Sequence, residues 1–135
     1  MPPTIIAVDD NLVHAYALRK LLEKNGYTVI EAHTGEEAVA LTQQHHPDLL
    51  LLDVNLPDFN GFEVCRRVRA THKYLPAIVF HTATSANDAS HRQAMAVGAT
   101  AFLTYPVDSD QLLSVIAVSI RRSQQAAAGD PQEDR

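Results

Sequence analysis

The sequence predicts an α/β fold of the doubly wound type, in which helices cover both faces of a parallel sheet. Strand-like and helix-like segments alternate along the whole chain, and no internal repeat interrupts them. The segment Leu49–Leu52 is apolar at every position, which indicates a strand buried on both faces. Five strand–helix units of this size imply right-handed crossovers, and a chain of 135 residues suggests a single domain.

The first two units are defined by apolar spacing and by stop signals. Thr4–Val8 is a short β-branched run, and Leu12–Lys24 carries apolar residues at helical spacing before an Asn-Gly pair ends it. Tyr27–Ala32 is the second predicted strand. The second helix is expected from Gly35 to about His45, because a threonine N-cap precedes it and a proline follows it.

The remaining units continue the alternation after the buried third strand. A Pro- and Gly-containing loop leads into the predicted helix Gly61–Ala70, and Ala77–Phe80 is the fourth strand. Asp88–Val97 has a helical pattern and is closed by a glycine. Ala101–Thr104 is the fifth strand, and the last helix is expected from Ser109 to about Arg122.

Composition bounds the location and the partners of the protein. The domain is expected to span residues 1–122, and residues 123–135 form a polar tail expected to be frayed or disordered. A formal net charge of −5 argues against direct binding to nucleic acid. No N-terminal signal region is visible, and the longest near-apolar run, Asp48–Val54, is too short to span a membrane. A cytoplasmic location is therefore expected. Cys65 is the single cysteine, interpreted as a small buried apolar group.

Polar residues follow the predicted strands at their carboxyl ends, where doubly wound sheets bind ligands. Asp9 and Asp10 follow the first strand, and Asp53 follows the third. If these strands are neighbours, the three carboxylates converge and repel one another unless a cation neutralises them. Mg²⁺ suits such oxygen ligands, and one carboxylate could act as a nucleophile in phosphoryl transfer. The alternative that Asp9 and Asp10 only cap the following helix stays open.

Two further strand ends carry polar groups. Thr82 follows the fourth strand, where its hydroxyl either reaches a phosphoryl oxygen or bonds to the backbone. Tyr105 follows the fifth.

Histidines are frequent, but no spacing among them or with Cys65 indicates a zinc site, and we interpret them as mostly surface residues. They are His14, His33, His45, His46, His72, His81 and His91.

The segments IIAVDDN, LLLLDVNLPDFNGFEVCRRVRA, IVFHTA and GATAFLTYPVD, taken together, resemble the receiver domain of bacterial two-component response regulators. The resemblance covers about residues 4–121. It implies a flavodoxin-like fold, a doubly wound five-stranded parallel sheet of order 2-1-3-4-5 with five helices. It also implies a protein that is not an enzyme on external substrates, because receivers catalyse only their own phosphorylation and dephosphorylation.

The resemblance also assigns roles to single residues. It implies that Asp53 is the phosphoacceptor and that Asp9 and Asp10 bind Mg²⁺, the first largely through water. Asn55 would offer its backbone carbonyl to the metal. Thr82 falls on the switch hydroxyl. By the same resemblance, Phe102 falls on the switch aromatic, and Pro106 falls on a proline that commonly follows a cis bond.

Tyr105 departs from the family pattern, which usually has a lysine at this position. A phenol stays neutral near neutral pH and can donate a single hydrogen bond. Because charge-assisted bonds are roughly twice as strong as neutral ones, the expected loss is about 1–2 kcal/mol in the phosphorylated state. The neighbouring His81 should point to the opposite side of its strand from Thr82 and is not expected to replace the charge.

Two functional hypotheses follow. In the first, a sensor histidine kinase or phosphotransfer protein phosphorylates Asp53 with Mg²⁺, and the altered domain binds a downstream partner protein. In the second, the chain is a pseudo-receiver that binds partners without phosphorylation, because of Tyr105. A homodimer formed through the last two helices stays open, as does the choice between a stand-alone receiver and a piece of a larger protein.

Overall fold

A computed structural model describes residues 2–71, 76–83 and 88–133, with side chains described as far as residue 125. His72 lies outside these residues. Within them, strands and helices alternate strictly. The strands are β1 Thr4–Val8, β2 Thr28–Ala32, β3 Leu49–Leu52, β4 Ala77–Ala83 and β5 Ala101–Tyr105. The helices are α1 Leu12–Lys24, α2 Gly35–His45, α3 Gly61–Arg69, α4 Asp88–Ala96 and α5 Ser109–Glu133.

The strands form one parallel sheet of order β2-β1-β3-β4-β5. This is the flavodoxin-like arrangement, so the predicted fold class and strand order are confirmed. In the register between β1 and β3, Val8 lies opposite Leu52. The residues that follow these two positions, Asp9 and Asp53, therefore leave the sheet side by side at its carboxyl edge.

The hydrophobic core has two parts, one on each face of the sheet. Successive β3 leucines alternate between them: Leu50 and Leu52 pack with α2, α3 and α4, whereas Leu49 and Leu51 pack with α1 and α5. All four are at most 2% exposed. Burying one such side chain is worth about 1.5–3 kcal/mol. The apolar run at β3 therefore anchors the strand that carries Asp53 from both faces.

Side-chain caps fix where three of the helices begin. Asn11 of α1, Thr34 of α2 and Asn60 of α3 each accept the backbone N–H of the residue three positions further on. Caps of this kind typically contribute about 1 kcal/mol each. The predicted threonine cap of α2 is thus confirmed, and the caps of α1 and α3 set the first turns that border the carboxyl edge.

Two predicted boundaries were wrong by more than one residue, while the start of β2 and the ends of α3, α4 and β5 differ from the prediction by a single residue. β4 continues past Phe80 to Ala83, because Thr82 and Ala83 remain paired with β5. The helix α5 continues past Arg122 to Glu133, since the apolar stripe ends before the helical backbone does. The expected fraying or disorder of the tail stays a prediction. In the described part of the chain, no helix has the length and apolarity needed to cross a membrane.

Cys65 lies in α3 and is fully buried, as predicted. Its Sγ–H donates to the carbonyl oxygen of Val97 at 3.3 Å. Burial raises the pKa of this thiol to about 11, although the nearby Arg69 acts in the opposite direction. The thiol is therefore protonated and a poor nucleophile in the folded protein.

Candidate functional site

The carboxyl ends of β1 and β3 bring three aspartates into one pocket, which we call the acid pocket (Asp9, Asp10 and Asp53). Each offers a carboxylate oxygen, and these oxygens all lie within 4.8 Å of one another. The backbone fixes the approach, because Asp53 N–H donates to the Val8 carbonyl at 3.1 Å. The predicted convergence of the three side chains is present in the fold.

Burial makes the acid pocket electrostatically costly. Asp9 is 3% exposed and Asp53 is 7% exposed, whereas Asp10 is exposed. Burial raises the pKa of Asp53, and the charges of Asp9 and Asp10 act in the same direction, against the lowering effect of hydrogen bonds from Asn55 and Thr82. The Asp53 carboxylate is thus destabilised in its ionised form, and a bound cation would relieve that cost.

The hydrogen bonds to Asp53 all converge on one of its oxygens. Thr82 Oγ1 donates to Oδ1 at 3.0 Å, and the backbone N–H of Asn55 donates to the same atom at 3.2 Å. Among the described residues, no donor reaches Oδ2. The Thr82 hydroxyl thus bonds to the acid pocket and not to backbone, and its contact with a phosphoryl oxygen stays a prediction.

Asp9 is held by two donors, one for each oxygen. The backbone N–H of Asn11 donates to Oδ1 at 2.9 Å, and His14 Nδ1 is in close hydrogen-bonding contact with Oδ2. His33 Nδ1 also contacts the Asp9 carbonyl oxygen at 3.0 Å. The side-chain cap of α1 is Asn11, and Asp9 instead accepts the N–H of that cap residue and faces the acid pocket, so the capping alternative does not account for Asp9.

Tyr105 does not stand alone at the position of the usual lysine. Its ring centroid lies 4.6 Å from that of His14 and 4.7 Å from that of His81, and the two imidazoles stack at 5.6 Å. We call these three residues the ring cluster. Burial raises the pKa of Tyr105, and the negative charges of Asp53, Asp9 and Asp10 raise it further. The phenol is therefore neutral and cannot supply the missing positive charge.

His81 is the most unusual member of the ring cluster. It is 5% exposed, and among the residues that the structure describes neither of its ring nitrogens has a hydrogen-bond partner. Burial lowers its pKa to about 4, the neighbouring His14 lowers it as well, and Asp9 opposes the change. Its side chain points away from Thr82, as the strand alternation predicted. His81 is thus neutral at physiological pH, and the interpretation of the histidines as surface residues was wrong for it.

Phe102 lies on the opposite face of β5 from Tyr105. It is partly buried and contacts Phe80, with ring centroids 6.0 Å apart. His91 of α4 stacks on it at 5.2 Å with an interplanar angle of 10°. The aromatic side chain that the resemblance names as a switch thus lies between the core and an exposed histidine. Pro106, directly after β5, follows a cis peptide bond.

The donor set of the acid pocket fits a hard divalent cation. All three candidate ligands are carboxylates, and their repulsion is uncompensated by any positive charge among the influences on Asp53. Mg²⁺ prefers oxygen ligands and keeps several waters, which the exposed side at Asp10 can admit. The Asn55 N–H is engaged by Asp53, and its carbonyl as a fourth ligand stays a prediction.

Sequence reasoning missed His14 and His91. His14 is five residues beyond Asp9, on the third residue of α1, and the Asn11 cap turns that position toward the acid pocket. The signal was present in the spacing, since a residue in the first turn of a helix after a strand end lies close to that strand end. His91 gave no comparable signal, because its contact with Phe102 depends on how α4 sits against β5.

A five-stranded flavodoxin-like sheet with three carboxylates at its carboxyl edge defines the receiver class of signalling domains. The family model for the response regulator receiver domain matches residues 5–117. The chain belongs to this family.

Curated proteins similar in sequence to this chain are named as response regulators. Response regulator MprA of Mycobacterium ulcerans is 38% identical over 124 residues, which cover 91% of this chain and 52% of the relative. The chain thus spans about half the length of the curated relatives it matches.

Solved structures agree at the level of fold and sequence. The BeF3-activated N-terminal receiver domain of Klebsiella pneumoniae RstA is 25% identical, with a TM-score of 0.81, and the match covers 87% of this chain and 98% of that one. Vibrio cholerae chemotaxis protein CheY4 is 30% identical, with a TM-score of 0.82, and the match covers 88% and 99% of the two chains.

Proposed function

We propose that this domain accepts a phosphoryl group on Asp53 from a phosphohistidine, with Mg²⁺ bound in the acid pocket. The observation that carries the proposal is the approach of three carboxylate oxygens to within 4.8 Å, two of them on buried residues. Such a cluster is costly without a cation, and a chain with no phosphoryl chemistry gains nothing from keeping it. A sensor histidine kinase or a phosphotransfer protein is the donor, in the cytoplasm.

The chain's own residues supply the nucleophile and its orientation. An Asp53 carboxylate oxygen attacks phosphorus, the phosphorus–nitrogen bond of the donor breaks, and its electron pair returns to the imidazole nitrogen. Thr82 and the Asn55 N–H hold Oδ1, which leaves Oδ2 directed to the incoming group. Asp9, Asp10, Asp53 and the Asn55 carbonyl would hold Mg²⁺, which offsets the negative charge of the pocket and of the transferred group.

The output of the proposed reaction is a changed surface. When Asp53 carries a phosphoryl group, the Thr82 hydroxyl leaves Oδ1 and donates to a phosphoryl oxygen. Thr82 and Phe102 lie on paired strands, β4 and β5, so a shift at one changes the packing of the other. The surface formed by α4, β5 and α5 then favours a downstream partner protein.

A pseudo-receiver that works without phosphorylation is the second candidate. It is favoured by Tyr105, because the charges that act on Asp53 come from Asp9 and Asp10 and are all negative. Under this alternative the fold provides a partner-binding surface that does not depend on Asp53.

The two candidates differ in a direct chemical test. The protein is incubated with Mg²⁺ and a small phosphodonor, and intact mass is measured for the wild type and for Asp53→Ala. We expect one added phosphoryl group in the wild type only. Absence of the adduct, or an adduct that persists in Asp53→Ala, contradicts the first candidate. Equal partner binding by the wild type and Asp53→Asn, with and without the phosphodonor, supports the second.

A further inference from the structure

The acid pocket has a histidine where the sequence predicted none. His14 Nδ1 contacts Asp9 Oδ2, while the Asn11 N–H donates to Oδ1 at 2.9 Å. An ionised carboxylate can only accept hydrogen bonds, so the imidazole nitrogen must be the donor. The rotation of the Asp9 carboxyl group is therefore set at both of its oxygens.

The His14 ring is itself held in place. Tyr105 packs against it with centroids 4.6 Å apart, and His81 stacks on it at 5.6 Å with an interplanar angle of 21°. The side chain of His14 is 27% exposed, so most of it is covered by the surrounding protein. His81 of β4 and Tyr105 of β5 thus restrict the orientation of the His14 imidazole on α1.

These contacts give Tyr105 a role unlike that of a lysine. A lysine ammonium would reach the Asp53 carboxylate, whereas the neutral Tyr105 ring lies against His14. The polar contact that His14 makes is with Asp9, not with Asp53. A tyrosine at position 105 therefore acts through His14 on Asp9, and not directly on Asp53 as a lysine would.

We propose that His14 is a positioning residue for the metal, which orients Asp9 through its Nδ1–H and is held by the Tyr105 ring. The inference rests on the proposed function, since it concerns the metal of the same acid pocket. Second-sphere histidine and carboxylate partners typically change metal affinity by 10–100-fold when removed. His14 acts through Asp9 and does not touch the transferred group.

The test compares Mg²⁺ affinity by calorimetric titration across a set of single variants. We expect His14→Leu to weaken Mg²⁺ binding by about 10-fold or more, and His14→Asn, which keeps an N–H donor near the position of Nδ1, to stay within about 3-fold of the wild type. Tyr105→Ala should behave like His14→Leu, and Tyr105→Phe like the wild type, because only the ring is needed. His45→Leu is the matched control, since His45 is an exposed histidine at the far end of α2.

A second readout does not need the metal. In the Mg²⁺-free protein, imidazole ¹⁵N chemical shifts should show Nδ1 of His14 protonated in the wild type and in Tyr105→Phe. An imidazole protonated on Nε2 alone would overturn the proposal, as would His14→Leu with wild-type Mg²⁺ affinity. A wild type that binds no Mg²⁺ overturns the proposed function together with this inference, whereas an unchanged His14→Leu in a Mg²⁺-binding, phosphorylated wild type overturns this inference alone.

Discussion

At position 105 the acid pocket has a neutral ring instead of a cation. Burial and three nearby carboxylates raise the pKa of Tyr105, so the hydroxyl holds its proton throughout the physiological range. The only hydrogen-bonded side chain seen on Asp53 among the described residues is the uncharged Thr82. In the proposed reaction, phosphoryl transfer onto Asp53 would therefore lack the charge-assisted contact that a lysine at position 105 would provide.

Restoring a cation should accelerate phosphorylation. For Tyr105→Lys at saturating Mg²⁺, we expect the initial rate with a small phosphodonor to rise by about 5- to 30-fold, the equivalent of about 1–2 kcal/mol. Saturating Mg²⁺ removes any effect of weaker metal binding. Tyr105→Phe, which loses only the hydroxyl, should remain within about 3-fold of the wild type. A Lys variant no faster than the Phe variant would show that the phenol does not limit the reaction.

The residues of the acid pocket could be located from the sequence because strand ends are readable. Asp9, Asp10 and Asp53 follow short apolar strands, and parallel strands share a carboxyl edge. The contact between His14 and Asp9 needs more than a strand end, because it depends on the rotation of α1 about its axis. The apolar spacing of α1, with Leu18 and Leu22 packed against the sheet, indicates that rotation only approximately and does not give the side-chain contact itself.

At the scale of elements, the connection between β3 and α3 has little freedom. Gly61 is the first residue of α3, and its N–H donates to the Val54 carbonyl at 2.8 Å. A Cβ at this position would lie far inside contact distance of the Asp53 carbonyl oxygen and close to the Phe80 ring. The loop that carries Asp53 therefore requires a residue with no side chain where α3 begins.

The substitution Gly61→Ala tests this close approach. We expect it to lower the free energy of unfolding by about 1–3 kcal/mol, because the added methyl group meets backbone that can move only with the loop. The measurement is urea unfolding followed by circular dichroism. Arg66→Ala on the exposed face of the same helix should change the value by less than about 0.5 kcal/mol. A Gly61→Ala protein as stable as the wild type would contradict the assigned role of the glycine.

Element boundaries were predictable where a chemical stop signal exists. The Thr34 cap and the Asn-Gly pair after Lys24 gave the start of α2 and the end of α1 correctly. Polar His81 and Thr82 made β4 look shorter than it is, since both are buried by tertiary contacts and not by their own hydrophobicity. Strand ends that form part of a site are therefore the boundaries that a hydrophobic pattern misses.

The ring cluster predicts that the stability of the whole molecule depends on pH. His81 has a folded-state pKa of about 4 against 6.5 in the unfolded chain, with His14 and Asp9 as the charged groups that influence it and Tyr105 packed beside it. Between these two values the unfolded chain binds a proton that the native protein does not. The part of the free energy of unfolding that is linked to His81 is therefore highest above about pH 6.5, and it decreases as the pH falls toward 4.

Replacing His81 with leucine should remove this pH dependence. The pKa difference corresponds to about 3 kcal/mol between pH 7 and pH 4, and the loss of two unpartnered nitrogens should add about 1–3 kcal/mol to the stability at pH 7. Urea unfolding at pH 7 and pH 4.5 compares the wild type with His81→Leu. The variant should lose less stability on acidification. Parallel losses in the two proteins would mean that other groups govern the acid response.

The two-sided packing of the sheet also isolates the single cysteine of the chain. The side chain of Cys65 is buried beneath α3 and donates to the Val97 carbonyl oxygen, and its pKa of about 11 keeps it a thiol. An alkylating reagent can react with it only after α3 separates from the sheet. Pulsed alkylation of the native protein would therefore report the equilibrium of that opening without any introduced label, and a bound ligand that stabilises the closed form would slow the reaction in proportion.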